Sequence, residues 1–188
     1  MNYFLGIFPD EIEKGRMAQI LPQYASIFDS QDIPVYYPEA AKYHLTLLYL
    51  GERLSPLMRV KVGRALKGFK YKPFNARINS VRLGFSQSRN PGLLHFTVTD
   101  ENNELRNIVS QLSSIIGTKR EKAFIPHITI GRVRNEISAV EYRNLSDAVT
   151  ALNQSVFAGK EISFTPGAIS LVKSTGSQYK ILKKYPIN

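Results

Sequence analysis

Three four-residue stretches share one pattern, histidine–apolar–threonine–apolar: His44-Leu45-Thr46-Leu47, His95-Phe96-Thr97-Val98 and His127-Ile128-Thr129-Ile130. The chain has three histidines, so every one of them opens such a tetrad. With eight threonines in 188 residues, composition alone places a tetrad after a given histidine roughly one time in a hundred. Alternation with period two is the signature of a half-buried strand. On that strand the histidine and threonine share one face, about 7 Å apart, while the apolar pair faces a core. Each tetrad therefore sets an imidazole beside a hydroxyl on a rigid surface. Phosphate chemistry can use that pairing.

Around the tetrads, strand and helix patterns alternate twice. Tyr3 to Phe8 reads as a strand, and Pro9-Asp10-Glu11 opens a helix whose apolar stripe (Ile12, Met17, Ile20, Leu21) runs to Pro22. The first tetrad strand spans Tyr43 to Leu50 and stops at Gly51. A second helix runs from Ser55-Pro56 to about Lys67, with Leu57, Val62, Ala65 and Leu66 inward and Arg59, Lys61, Arg64 and Lys67 outward. Strand material from Phe74 to Phe85 precedes a polar loop, Ser86 to Gly92. The order then recurs: strand Leu93 to Thr99, a helix capped by Asp100 and ended by Gly117, and strand Phe124 to Val133. That helix turns Leu105, Ile108, Val109, Leu112, Ile115 and Ile116 inward. A helix from Ser138 to Leu152 and a hairpin of Ile162–Lys173 with Gln178–Lys183 close the chain. The expected fold is α+β, a bilobal pseudo-twofold repeat within one domain over residues 1–188. Each lobe has a mostly antiparallel sheet with outer helices, and a groove lies between them. His44 and His127 take equivalent places in the repeat, whereas His95 matches the opening strand.

Composition narrows the function classes. No apolar run approaches the length of a membrane span, and the apolar start is too short for a secretory signal. Cysteine is absent, so disulfides and thiolate metal sites are excluded and a cytoplasmic setting is expected. The net charge of +10 favours a polyanionic partner, nucleic acid before acidic lipid.

The flanks of two tetrads are more specific than the tetrads themselves. His44-Leu45-Thr46-Leu47-Leu48-Tyr49-Leu50-Gly51-Glu52 resembles the first signature of the two-histidine phosphoesterases, in particular the RNA 2′,3′-cyclic phosphodiesterases once called 2′-5′ RNA ligases. Pro126-His127-Ile128-Thr129-Ile130-Gly131-Arg132 resembles the second signature. Tyr3 to Pro9 is similar to the family's opening strand, and Leu171 to Ser174 with Gly176 and Tyr179 to its closing hairpin. The resemblance spans the chain and implies two lobes whose tetrads face each other across the groove.

Opening a cyclic phosphate needs a base for the attacking water and an acid for the departing ribose oxygen. Two imidazoles divide those tasks near neutral pH. The resemblance implies that His44 is the general acid, that His127 is the general base, and that the product carries a 2′-phosphate. Thr46 and Thr129 are the expected donors to the non-bridging oxygens. Arg132 is a candidate contact to phosphate or base. Phe4 is a candidate stacking surface for the terminal base or, equally, a core residue. Lys119, Arg120, Lys122, Arg132 and Arg134 are candidates for an RNA-tracking edge. No metal or other cofactor is expected, since two histidines without a carboxylate cluster make a poor metal site. The expected protein is a monomeric RNA 2′,3′-cyclic phosphodiesterase with weak 2′-5′ joining activity. Alternatives are a phosphodiesterase of 2′,5′-linked oligonucleotides or small cyclic nucleotides, and a non-catalytic RNA-binding module. His95 lacks both flanks, so a structural or supporting role is expected there.

Overall fold

The computed structural model describes residues 1–69, 73–118, 123–176 and 178–187. Its elements run β1 (Asn2–Ile7), α1 (Glu11–Asp29), β2 (Val35–Tyr36), β3 (Leu45–Gly51), α2 (Pro56–Lys67), β4 (Ala76–Leu83) and β5 (Leu93–Asp100). They continue with α3 (Glu104–Ile116), β6 (His127–Val133), α4 (Ala139–Val156), β7 (Ile162–Phe164), β8 (Ala168–Thr175) and β9 (Gln178–Pro186). Side chains near the termini set the helix boundaries. Asp10 accepts from the Glu13 amide and Ser55 from the Met58 amide, and Ser138 and Glu141 form a reciprocal capping box. Gly117 ends α3 in the left-handed region at φ 77°.

Four local readings are corrected. Ile162–Lys173 is not one strand but two, β7 pairing with β4 and β8 with β1 and β9. Pro22 does not end α1, which continues to Asp29. The missing amide costs roughly 3 kcal/mol, but the second half of the helix buries Tyr24 and Phe28 completely. Ile12, Leu57 and Ile115 sit on the solvent side at 68%, 67% and 55% exposure, because each helix buries a narrower stripe than its apolar content suggests. Asp100 belongs to β5 and Asn103 is the N-cap of α3, although the Asp100 carboxylate still accepts from the Glu104 amide.

All strand pairs are antiparallel, in the order β7-β4-β5-β6-β3-β1-β8-β9, with β2 beside β6. This is a curled sheet of two matching halves, β3-β1-β8-β9 and β6-β5-β4-β7, joined by one register pair, Leu45 with Ile128. Just beyond that pair the edge of β6 passes from β3 to β2, where Tyr36 meets Arg132 and Val35 meets Val133. The two strands therefore splay apart beside the junction.

The spatial halves are not the sequential halves. β4 pairs with β5, and the terminal hairpin β8-β9 pairs with β1. Helices cross over as well: α1 follows β1 yet packs on α4 and β7, and α3 follows β5 yet packs on α2 and β3. Asn153 of α4 fastens one such crossing. Its Oδ1 accepts from the Tyr24 hydroxyl (2.7 Å) and the Val81 amide (2.9 Å), and its Nδ2 donates to the Val81 carbonyl (3.0 Å). One continuous apolar core underlies both halves.

Candidate active site

Register places the tetrads side by side. Ile128 of β6 pairs with Leu45 of β3 on one flank and Phe96 of β5 on the other. Those three residues, each the second of its tetrad, form a fully buried row on the core side of the sheet. The histidines and threonines consequently emerge on the opposite face. Between β5 and β6 the tetrads lie head to tail, His95 against Thr129 and Thr97 against His127. The antiparallel sense of β3 and β6 sends His44 and His127 to opposite sides of the Leu45–Ile128 pair.

Each imidazole is tied in the same way. Nδ1–H donates to the carbonyl two residues back: His44 to Lys42 (2.7 Å), His127 to Ile125 (2.7 Å) and His95 to Leu93 (3.3 Å). A carbonyl can only accept, so Nδ1 carries the proton of each neutral ring and Nε2 is left for chemistry. Aromatic neighbours hold the rings in place. His44 lies between Phe4 (centroids 4.9 Å apart), Phe8 (5.5 Å) and Tyr179 (4.9 Å). His127 meets Phe85 edge-on at 4.9 Å and His95 at 5.4 Å.

Electrostatics favours an anion here. Burial lowers the pKa of His44, and the charges of His127 and Lys14 lower it further against the raising effect of the Lys42 carbonyl. Burial likewise lowers His127, assisted by Arg89 and Arg132 against the Ile125 carbonyl. His95 is pushed down to about 4 by burial and by His127, with Arg82 adding to the effect against the Leu93 carbonyl. These shifts favour the neutral form of all three rings near neutral pH, close to Arg89, Arg132 and Lys14, the last paired with Glu11 at 2.8 Å. Among the described residues no group of three or more His, Cys, Asp or Glu side chains is arranged to hold a metal ion.

Arg132 reaches this face because Ile130 is an extra residue in β6. Leu94 pairs with Gly131 and His95 with Thr129, and this bulge restores Arg132 to the histidine side. The Arg132 charge also acts on Tyr179, whose pKa burial raises. Phe4 is 6% exposed, with its ring against both His44 and Tyr179. Thr46 and Thr129 are half-buried on the histidine face. Arg134 is exposed just beyond β6, whereas Lys119, Arg120 and Lys122 lie outside the described residues.

Residues 18–178 match the family model of the 2′-5′ RNA ligase superfamily. The chain belongs to that superfamily. An RNA 2′,3′-cyclic phosphodiesterase of Archaeoglobus fulgidus is 23% identical over 187 residues, covering 98% of this chain and 99% of the relative. One from Aquifex aeolicus is 24% identical over 153 residues, covering 78% and 79%. A solved protein of Thermus thermophilus superposes with TM-score 0.69 at 18% identity, over 100% of this chain and 98% of its own. E. coli LigT complexed with 3′-AMP superposes with TM-score 0.68 at 16% identity, over 99% and 97%. The fold of this superfamily member is therefore shared along nearly its whole length.

Several groups around the histidines were not singled out from sequence: Phe8, Lys14, Phe85, Arg89 and His95 as a direct neighbour of His127. Phe8 and Lys14 line a cavity of about 630 Å³ beside His44, together with Ser170, Tyr179 and Lys184. Only His95 carried a signal, its tetrad, and antiparallel register converts that signal into proximity. The others come from loops and helix starts, where no periodicity announces a shared face.

Proposed function

We infer that this chain hydrolyses RNA 2′,3′-cyclic phosphate ends to 2′-phosphomonoesters by acid–base catalysis with two histidines. The reading rests on two Nδ1-anchored imidazoles, His44 and His127, set on opposite sides of one strand junction, with Lys14 acting on the first and Arg89 and Arg132 on the second. The superfamily match and the two curated relatives support the substrate class. Water gives a proton to Nε2 of His127 as its oxygen attacks phosphorus. His44 gives its Nε2 proton to O3′ as the P–O3′ bond breaks. The arriving phosphate anion supplies the counter-charge that lets one imidazole hold a second proton despite burial.

Thr46 and Thr129 donate to the non-bridging oxygens as charge gathers there. Arg132 neutralises phosphate, and Phe4 keeps the His44 ring in line. With a 5′-hydroxyl replacing water, the same groups would join ends weakly through a 2′-5′ linkage. The working form is a cytoplasmic monomer, one bilobal domain over residues 1–188, that requires no metal.

The test is an oligonucleotide with a 2′,3′-cyclic phosphate end, incubated with the protein in excess EDTA. Undiminished turnover to a 2′-phosphate is expected, and loss on chelation would refute metal independence. His44→Ala and His127→Ala should each reduce kcat by about 10³-fold or more, with KM little changed. A 3′-phosphate product would mean that the leaving oxygen is O2′.

A further inference from the structure

We propose that His95 is a third catalytic histidine, which accepts the second hydrogen of the attacking water and so aims it at phosphorus; this rests on the hydrolytic reading above. His95 is 2% exposed and belongs to the only tetrad that lacks the signature flanks. Its ring lies 5.4 Å from that of His127, edge to face at 78°, and both rings contact Phe85. The pairing of β5 with β6 gives the two imidazoles one face of the sheet. On that face His95 stands beyond His127 as seen from β3, the strand that follows His44. This is the side from which a nucleophile must come if His44 serves the leaving group.

Its hydrogen bond to the Leu93 carbonyl commits Nδ1 as a donor, leaving Nε2 as a pure acceptor. Burial and the neighbouring His127 keep the ring unprotonated at neutral pH. A water molecule has two hydrogens, and His127 removes one. The other needs an acceptor in a site lined by the donors Thr46, Thr129 and Arg132. Thr97, paired with His127, adds a buried hydroxyl with no hydrogen-bond partner among the described residues. That hydroxyl can donate to the water's remaining lone pair. As the O–P bond forms and the P–O3′ bond breaks, one water proton passes to His127 and the His44 proton passes to O3′. The second water hydrogen stays on the new phosphate hydroxyl, bonded to Nε2 of His95.

An alcohol distinguishes this role from simple packing, because methanol has only the hydrogen that His127 removes. The cyclic-phosphate oligonucleotide is turned over in aqueous methanol, and the ratio of methyl ester to free 2′-phosphate is measured for wild type, His95→Phe and His95→Gln. His95→Phe keeps a ring against Phe85 and His127 but loses Nε2. It should slow attack by water about ten- to thirtyfold while methanolysis changes less than threefold. The product ratio then rises about tenfold. His95→Gln, whose amide reaches the Nε2 position, should bring the ratio back toward wild type. The ratio is internal to each sample and does not depend on how much of a variant folds. An unchanged ratio in an active His95→Phe overturns the proposal and leaves the hydrolytic reading intact. A wild-type protein that does not open the cyclic phosphate overturns both.

Discussion

Each imidazole on the histidine face has one nitrogen occupied by its own backbone, which settles the tautomer and the direction of Nε2 before any substrate arrives. Burial and nearby cations lower the pKa of His44 and of His127 below 6.5. Under the proposed mechanism the general acid must be protonated and the general base must not, so the rate is expected to rise through one pKa and fall through the other. With both lowered, the bell of kcat/KM should centre on the acid side of pH 6.5. The bell of kcat should lie at higher pH, because the bound phosphate anion favours the charged imidazole. Initial rates from pH 4.5 to 8.5 check this, and a kcat/KM optimum above pH 7 would contradict it. That each signature histidine shares a face with its threonine was readable from sequence, because period two dictates which side chains lie on one side. The place of His95 was not, because a tetrad reports its own strand and says nothing about which strand lies alongside. Arg132 shows the same gap, since simple alternation from His127 puts it on the wrong face and only the bulge at Ile130 returns it.

Strands were recognised more faithfully than helix faces. Alternation of faces holds within the three tetrads, although the bulge at Ile130 breaks it further along β6, whereas Ile12, Leu57 and Ile115 misreported their helices because long-range partners select the buried stripe. The crossing of α1 over the opposite half depends on such partners. Asn153 connects α1, α4 and β4 through three hydrogen bonds, two of them to the backbone of Val81. Replacing it by alanine leaves the Val81 amide and carbonyl and the Tyr24 hydroxyl unpaired, so Asn153→Ala should cost about 2–3 kcal/mol. Urea unfolding at pH 7 measures the loss. A change below about 0.5 kcal/mol would show that water replaces these bonds without penalty.

The exchange of helices and hairpins sets both halves over one apolar core, and the buried histidines are expected to make that fold acid-sensitive. Between pH 6.5 and about 4 the unfolded chain binds a proton at His95 that the folded chain refuses. Stability therefore falls with pH through this window, by about 3 kcal/mol from His95 alone. His44 and His127 act in the same direction. Denaturant midpoints at pH 7 and pH 4.5 test this, and His95→Phe should flatten the dependence. The repeat itself was visible in the order of elements. The exchange was not, because order along the chain does not state whether β4 joins the strand before it or the strand after it.

The buried row Leu45–Ile128–Phe96 has a further consequence. Because each of these residues precedes a tetrad threonine and follows a tetrad histidine, the dry side of the sheet acts as a ruler for the wet side. Trimming Ile128 to valine removes one methylene and should cost only about 1 kcal/mol of stability. The same change leaves a gap beneath β6, and any relaxation of that strand into it shifts His127 relative to both His44 and His95. Turnover should therefore respond more steeply than stability, making these core positions a means of tuning chemistry without touching a reacting group.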